Sequence, residues 1–253
     1  MIDSINGIRY TVKYKNFDPQ DDLNKVTKAG KMKVLITVLI LILASGALLF
    51  AQEEAPVFQA ADQSLLVLPT AYTMPKGRHT FTNYEIFIVQ YAYGLTDRTH
   101  LSIGMPFPIF VEAFEYSALG IKQNYLRYEK FQAAATLTWL PKAEGLGLMN
   151  VISYGSPQAS AHAYVGMVMS YEEIKNGAFL ALGGMVSVSQ RIALISELMT
   201  VSAVLDEEGG QLLTLGVRFK GDKLSWDLGG FRPFTGDTGD LLLFPLVKMT
   251  VMF

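Results

Sequence analysis

The last thirteen residues constrain this 253-residue chain more than any other stretch. From Leu241 onward apolar residues take every second place: Leu241, Leu243, Pro245, Val247, Met249, Val251 and Phe253. Lys248 and Thr250 stand between them. Period-two alternation describes a β-strand with one apolar and one polar face. Half of all residues are hydrophobic, yet beyond residue 51 no apolar run reaches the length of a spanning helix. A chain that meets lipid with strands alone must close its backbone hydrogen bonds into a barrel, because hydrocarbon satisfies none of them.

A targeting segment agrees with export. Met32-Lys33 opens an apolar run, Val34 to Phe50, broken only by Thr37, Ser45 and Gly46 and followed by Ala51-Gln52-Glu53-Glu54. A basic start, an apolar core and a small residue before a polar stretch make a secretory signal peptide, here residues 32–51. Residues 1–31 are polar and charged and precede that signal, so they read as a non-native or disordered extension. Residues 52–63 read as a short periplasmic segment and 64–253 as the barrel. Residues 1–51 carry seven basic and four acidic side chains, which leaves 14 basic and 19 acidic in the mature chain. Without a basic excess or basic clusters, nucleic acid is not a partner. The absence of cysteine removes disulfides and thiolate metal sites together.

The chain divides into alternating segments of the length membrane strands need. They are 65–73, 79–93, 99–107, 116–126, 131–140 and 146–154, then 159–171, 178–188, 192–201, 211–220, 224–231 and 241–253. Tight connections (94–98, 127–130, 155–158, 189–191 and 221–223) alternate with longer ones, as short periplasmic turns alternate with external loops. The expected fold is all-β, a transmembrane antiparallel up-and-down barrel of about twelve strands, with ten as the alternative. Pro69 makes 65–73 the weakest strand. Asn83 and Glu85 share parity with Phe87 and Val89, which suggests a β-bulge in the second segment. The fifth segment is clearest, with Phe131, Ala133, Ala135, Leu137 and Trp139 on one face. Tyr91, Tyr93, Tyr125, Phe131, Tyr154, Phe219 and Phe253 collect beside the short turns, where an interfacial aromatic girdle belongs.

Parity assigns the lumen face. Lys122, His100, Ser102, Asn124, Gln132, Thr136, Thr138, Ser160, His162 and Tyr164 point inward, and so do Glu197, Arg218, Lys220, Asp227 and Lys248. Across the 221–223 turn Arg218 is expected to face Ser225, with Asp227 on the diagonal. Glu197, Arg218, Asp227, Lys248 and Lys122 form the candidate charge cluster. It is either an internal ion-pair network or a constriction that selects solutes, and the near-cancelling signs favour bracing. His79 is placed at the outer rim. No Gly-x-Ser-x-Gly or His-Glu-x-x-His motif is present, so no catalytic residue, metal or cofactor is assigned. The long loops are acidic (Glu112, Glu115, Glu144, Glu172, Glu173, Asp206, Glu207, Glu208, Asp237 and Asp240).

Three sets of residues carry a resemblance. The C-terminal pattern ending Met249, Val251 and Phe253 resembles the signal by which Gram-negative bacteria recognise outer-membrane barrels for assembly. Leu68-Pro69-Thr70-Ala71, Met74-Pro75-Lys76-Gly77 and Tyr93-Gly94-Leu95-Thr96-Asp97-Arg98 resemble the opening of a broad group of bacterial outer-membrane barrels. Uncharacterised families and porin-like proteins associated with phenol meta-pathway degradation belong to that group. Ile195-Ser196-Glu197, Asp227-Leu228-Gly229 and Arg232-Pro233 resemble the uncharacterised members. The resemblance implies outer-membrane lipid, lipopolysaccharide and the barrel-assembly machinery as partners. These motifs describe architecture and not cargo. The polar, partly charged lumen of a barrel of intermediate width, without a catalytic constellation, makes porin-like passage of small solutes or a structural role the expected function. A surface-binding module with a closed lumen and, less fittingly, a lipid hydrolase are the alternatives.

Overall fold

The computed structural model describes residues 58–107, 114–142, 144–170, 176–201, 210–234 and 243–253. The expected signal peptide and N-terminal extension, most of the acidic loop residues and the 236–240 carboxylate run lie outside them. Twelve strands are present among the described residues: β1 (His79–Tyr84), β2 (Ile88–Thr96), β3 (Thr99–Pro106), β4 (Ala118–Tyr128), β5 (Phe131–Leu140) and β6 (Gly145–Ser156). The others are β7 (Ala159–Ser170), β8 (Asn176–Ser187), β9 (Ile192–Val201), β10 (Gly210–Phe219), β11 (Leu224–Pro233) and β12 (Phe244–Met252). Each pairs antiparallel with its neighbours in sequence, and β1 closes on β12 from Thr80↔Met252 to Tyr84↔Lys248. The fold is a closed up-and-down barrel.

Its two surfaces are reversed relative to a soluble protein. Outward residues such as Leu137, Trp139, Val165, Leu180, Trp226 and Val247 are exposed, while the inward Asn124, Ser160, Glu197, Arg218, Asp227 and Lys248 are buried. An apolar outside around a polar inside is the pattern of a barrel that stands in lipid. Tyr91, Tyr125, Phe131, Phe219 and Phe253 are exposed at the end that carries the short turns. That level suits rings which favour the headgroup boundary.

The strand count matches the expectation, but its partition does not, and the ten-stranded alternative falls away. Segment 65–73 is no wall strand. Segment 79–93 is a hairpin rather than one bulged strand, so β1 and β2 restore the number. The turn is closed by the Phe87 N–H donating to the Tyr84 carbonyl at 3.0 Å, and Asn83 Oδ1 accepts from the Ile86 N–H at 2.9 Å. Glu85 and Ile86 adopt φ of 52° and 69°. Such turns ordinarily take Asn-Gly or Asp-Gly, and a β-branched residue there is strained. Nothing in Glu85-Ile86-Phe87 announces a turn. One consequence is that His79 stands at the short-turn end, not the outer rim. Its backbone pairs with Phe253 at 3.3 and 2.9 Å.

The N-terminal described segment, residues 58–77, lies inside the barrel. Ala60, Ala61, Leu65, Leu66, Ala71 and Met74 are buried there. This corrects the expected periplasmic segment over its described part, 58–63, as well as the expected strand at 65–73. Leu65 N–H donates to Leu68 O at 2.7 Å and Thr70 N–H to Gln63 O at 2.9 Å, so the segment folds into a small hairpin. Leu65 and Leu66 pack with Met185, Ala193, Ile195 and Leu246, while Leu68 and Ala71 pack with Ala134, Val151, Tyr164 and Ala181. The wall makes room for it with glycine. A Cβ on Gly183 would stand 2.5 Å from Leu65 Cδ1, and one on Gly216 would stand 2.9 Å from Leu66 Cδ1. The segment leaves beside β2, where the Gly77 N–H donates to Gly94 O at 2.8 Å.

Candidate functional site

A backbone that threads a lumen has no ladder to bond with, yet its N–H and C=O groups need partners. The wall supplies them from side chains. Arg218 on β10 donates through Nη1 to Ala61 O at 2.9 Å, and through Nη2 to Ser64 O at 2.8 Å and Leu65 O at 3.0 Å. Lys248 on β12 donates to Ser64 Oγ at 3.2 Å and to Leu65 O. On β9, Glu197 does the converse. Its carboxylate accepts the Val67 N–H at 3.1 Å and the Leu68 N–H at 2.7 Å, and the Thr214 hydroxyl at 2.5 Å. Cations take the carbonyls and an anion takes the amides at the tip of the inner hairpin.

Asp227 on β11 holds the two cations in place. Arg218 Nε and Nη2 reach its oxygens at 2.7 and 2.8 Å, a bidentate fork, and Lys248 Nζ reaches Oδ2 at 2.8 Å. The strand register places Arg218 directly opposite Asp227, and Asp227 opposite Lys248. The expected Arg218–Ser225 facing is therefore corrected. The β10–β11 ladder begins at Phe219↔Trp226, so residues 220–225 all lie outside it and the pairing falls two residues further along β11. Arg218, Asp227 and Lys248 are each 1% exposed and Glu197 2%. At such burial an unpaired charge is costly, and two carboxylates balance the two cations.

Four of the five expected cluster residues thus converge on the inner hairpin. Lys122 meets the same segment apart from that ion-paired group. It sits across the lumen on β4, buried, and donates to Gln63 O at 3.3 Å.

A second set of contacts was not legible in the sequence. Ser153 Oγ accepts the Ala71 N–H at 2.9 Å and bonds His162 Nδ1 at 2.6 Å, while His162 Nε2 bonds Ser160 at 2.9 Å. Asn124 Nδ2 donates to Ala71 O and to Gln132 Oε1, each at 2.9 Å. Arg127 Nη2 donates to Thr73 Oγ1 at 3.2 Å. The Ser153–His162 pair has the elements of an activated nucleophile, but hydroxyls rather than a carboxylate hold both ring nitrogens. Among the described residues no three His, Cys, Asp or Glu side chains converge as metal ligands. One signal could have revealed the segment. Leu65-Leu66-Val67-Leu68 is apolar without alternation, which describes burial on every side rather than a wall strand.

The assembly-signal residues lie on the closing seam. Phe253 projects outward at 63% exposure. Val251 and Met249 face Phe81 and Asn83 across the β1–β12 pairing.

No family model matches the chain, and no curated protein matches it. Solved structures are similar to it, two outer-membrane proteins among them. One is the low-pH structure of OprB from Pseudomonas putida, at 9% identity and a TM-score of 0.35, covering 66% of this chain and 55% of that one. The other is the outer-membrane expressed OmpT of Vibrio cholerae, at 14% identity and a TM-score of 0.35, covering 66% of this chain and 64% of that one. The chain therefore spans less than two thirds of either, and superposition this partial carries no argument about what it does.

Proposed function

We propose that the chain is a porin-like outer-membrane barrel that rests closed, its lumen filled by residues 58–77, and passes small solutes when that segment is displaced. The observation that carries this reading is the clamp: Arg218, Lys248 and Glu197 spend their hydrogen bonds on the backbone of the inner segment rather than on the wall alone. The reading also draws on the apolar outer surface and on a polar cavity beside the segment. On this account residues 32–51 are removed during export, and the protein carries out no catalysis. The kinship with porin-like proteins of aromatic degradation enters as a likeness of architecture only. A second reading, bracing alone, is favoured by the balance of charge within the clamp.

Conductance across a planar bilayer separates the two. The refolded full chain should be nearly silent at low voltage. Glu197→Gln keeps the shape and one acceptor but removes the charge that holds Val67 and Leu68, so discrete openings should become frequent. Steady wide conductance of the unaltered chain would contradict a closed resting lumen. Silence in both proteins, each shown to be folded by heat-modifiable gel mobility, would overturn passage and leave bracing.

A further inference from the structure

The charge balance of the clamp ends at Lys122. Across β3, β4 and β5 the register aligns His100, Lys122 and Thr136 in one inward row. Ser102, Gly120 and Thr138 form the next row. These residues and Gln63 of the inner segment line a cavity of about 230 Å³. That is below the roughly 300–1,000 Å³ of sites for drug-sized ligands, so its occupant is small. No aspartate or glutamate lines it.

The lining is short of partners in one particular way. Lys122 is 2% exposed, and its bond to Gln63 O uses one of three ammonium donors. No carboxylate stands within ion-pair distance of it among the described residues. His100 Nδ1, Thr136 Oγ1 and Gln63 Oε1 are buried, and each lacks a hydrogen-bond partner. Gln63 Nε2 is committed to Thr80 Oγ1 at 2.9 Å, which leaves its amide oxygen an acceptor toward the cavity. The pocket therefore offers a cation, a hydroxyl and a ring nitrogen that can donate, with one acceptor. A bare buried ammonium is expensive, and a small anion offsets that cost most directly.

We infer that this cavity is a binding site for a small oxyanion that retains an O–H, of which hydrogen phosphate is the simplest. Lys122 Nζ supplies the charge, Thr136 Oγ1 and His100 Nδ1 donate to the anionic oxygens, and Gln63 Oε1 accepts the O–H. The site stands complete with the inner segment in place, so it does not rest on displacement of that segment.

The test is titration of the folded full chain in detergent, following the histidine ring nitrogens by NMR. Inorganic phosphate, sulfate, glycolate and chloride are compared at equal ionic strength. Phosphate should saturate and move the His100 signals. Sulfate, which has no O–H at neutral pH, should bind several-fold more weakly, and chloride should have no effect. Glycolate distinguishes a hydroxy-carboxylate from phosphate as the better fit, and tight binding of either supports the site. Lys122→Met should weaken binding by at least roughly tenfold, as loss of a charge-assisted hydrogen bond does. Thr136→Val, which leaves the charge in place, should weaken it several-fold and decides the matter if the lysine variant does not fold. Absence of saturable anion binding, unchanged affinity in both variants, or binding that leaves His100 unmoved would overturn the assignment.

Discussion

Replacing Asp227 with alanine should destabilise the barrel by about 3–5 kcal/mol, the cost of leaving buried partners of an ion pair uncompensated. The size of the effect follows from position. Asp227 accepts two hydrogen bonds from Arg218 and one ion pair from Lys248, all three side chains being buried. Without it two cations share a dry site with Glu197 as the nearest clamp carboxylate, and both lose the contact that aims them at the inner segment. Urea unfolding in lipid or detergent, read by heat-modifiable mobility, measures the loss. Lys248→Met added to Asp227→Ala removes one charge of each sign and should recover part of it, so the two changes should be strongly non-additive. A loss below about 1 kcal/mol, the range of an exposed surface pair, would mean that water reaches the cluster.

Phe253→Asp should prevent most of the protein from reaching its folded, membrane-inserted form in cells. The energetics of the finished barrel do not account for so large an effect. Phe253 lies at the short-turn end, at the level of the aromatic girdle, and a charge near the interface costs only about 0–1 kcal/mol. Its backbone pairing with His79, which closes the seam, does not depend on the side chain. The defect should therefore appear in assembly: a periplasmic, heat-unmodifiable species in cells, alongside near-normal refolding of the purified variant into lipid. Normal insertion in cells would remove Phe253, and with it Val251 and Met249, from any role as an assembly signal.

Strand physics made the wall legible and left its contents hidden. β5 was readable because Leu137 and Trp139 alternate with Thr136 and Thr138, and the structure exposes the first pair outward. Parity found Glu197, Arg218, Asp227 and Lys248 because inward charges interrupt an apolar rhythm. What they hold was not readable. Their targets are backbone groups of Ala61, Ser64, Leu65, Val67 and Leu68, and every residue carries those groups whatever its side chain. The hairpin at Glu85-Ile86 was missed for a related reason. Its left-handed backbone is imposed by the closing barrel, against the preference of the residues in it. Pro69 was the warning that 65–73 is not a wall strand, since a ladder position needs the N–H that proline lacks.

Occupation of the lumen by the N-terminal segment is the central claim, and cysteine labelling tests it most directly. The chain has no cysteine, so single substitutions report without background. Ser64→Cys changes little in size, and Ser64 is a buried residue of the inner hairpin, held by Arg218 and Lys248 of the wall. Ser189→Cys, at an exposed position in a short turn, serves as the reference. In the folded barrel a water-soluble maleimide should label Ser189→Cys readily and leave Ser64→Cys almost untouched, with both labelled alike in denaturant. Equal labelling of the two in the folded barrel would place residue 64 in open water and contradict the account.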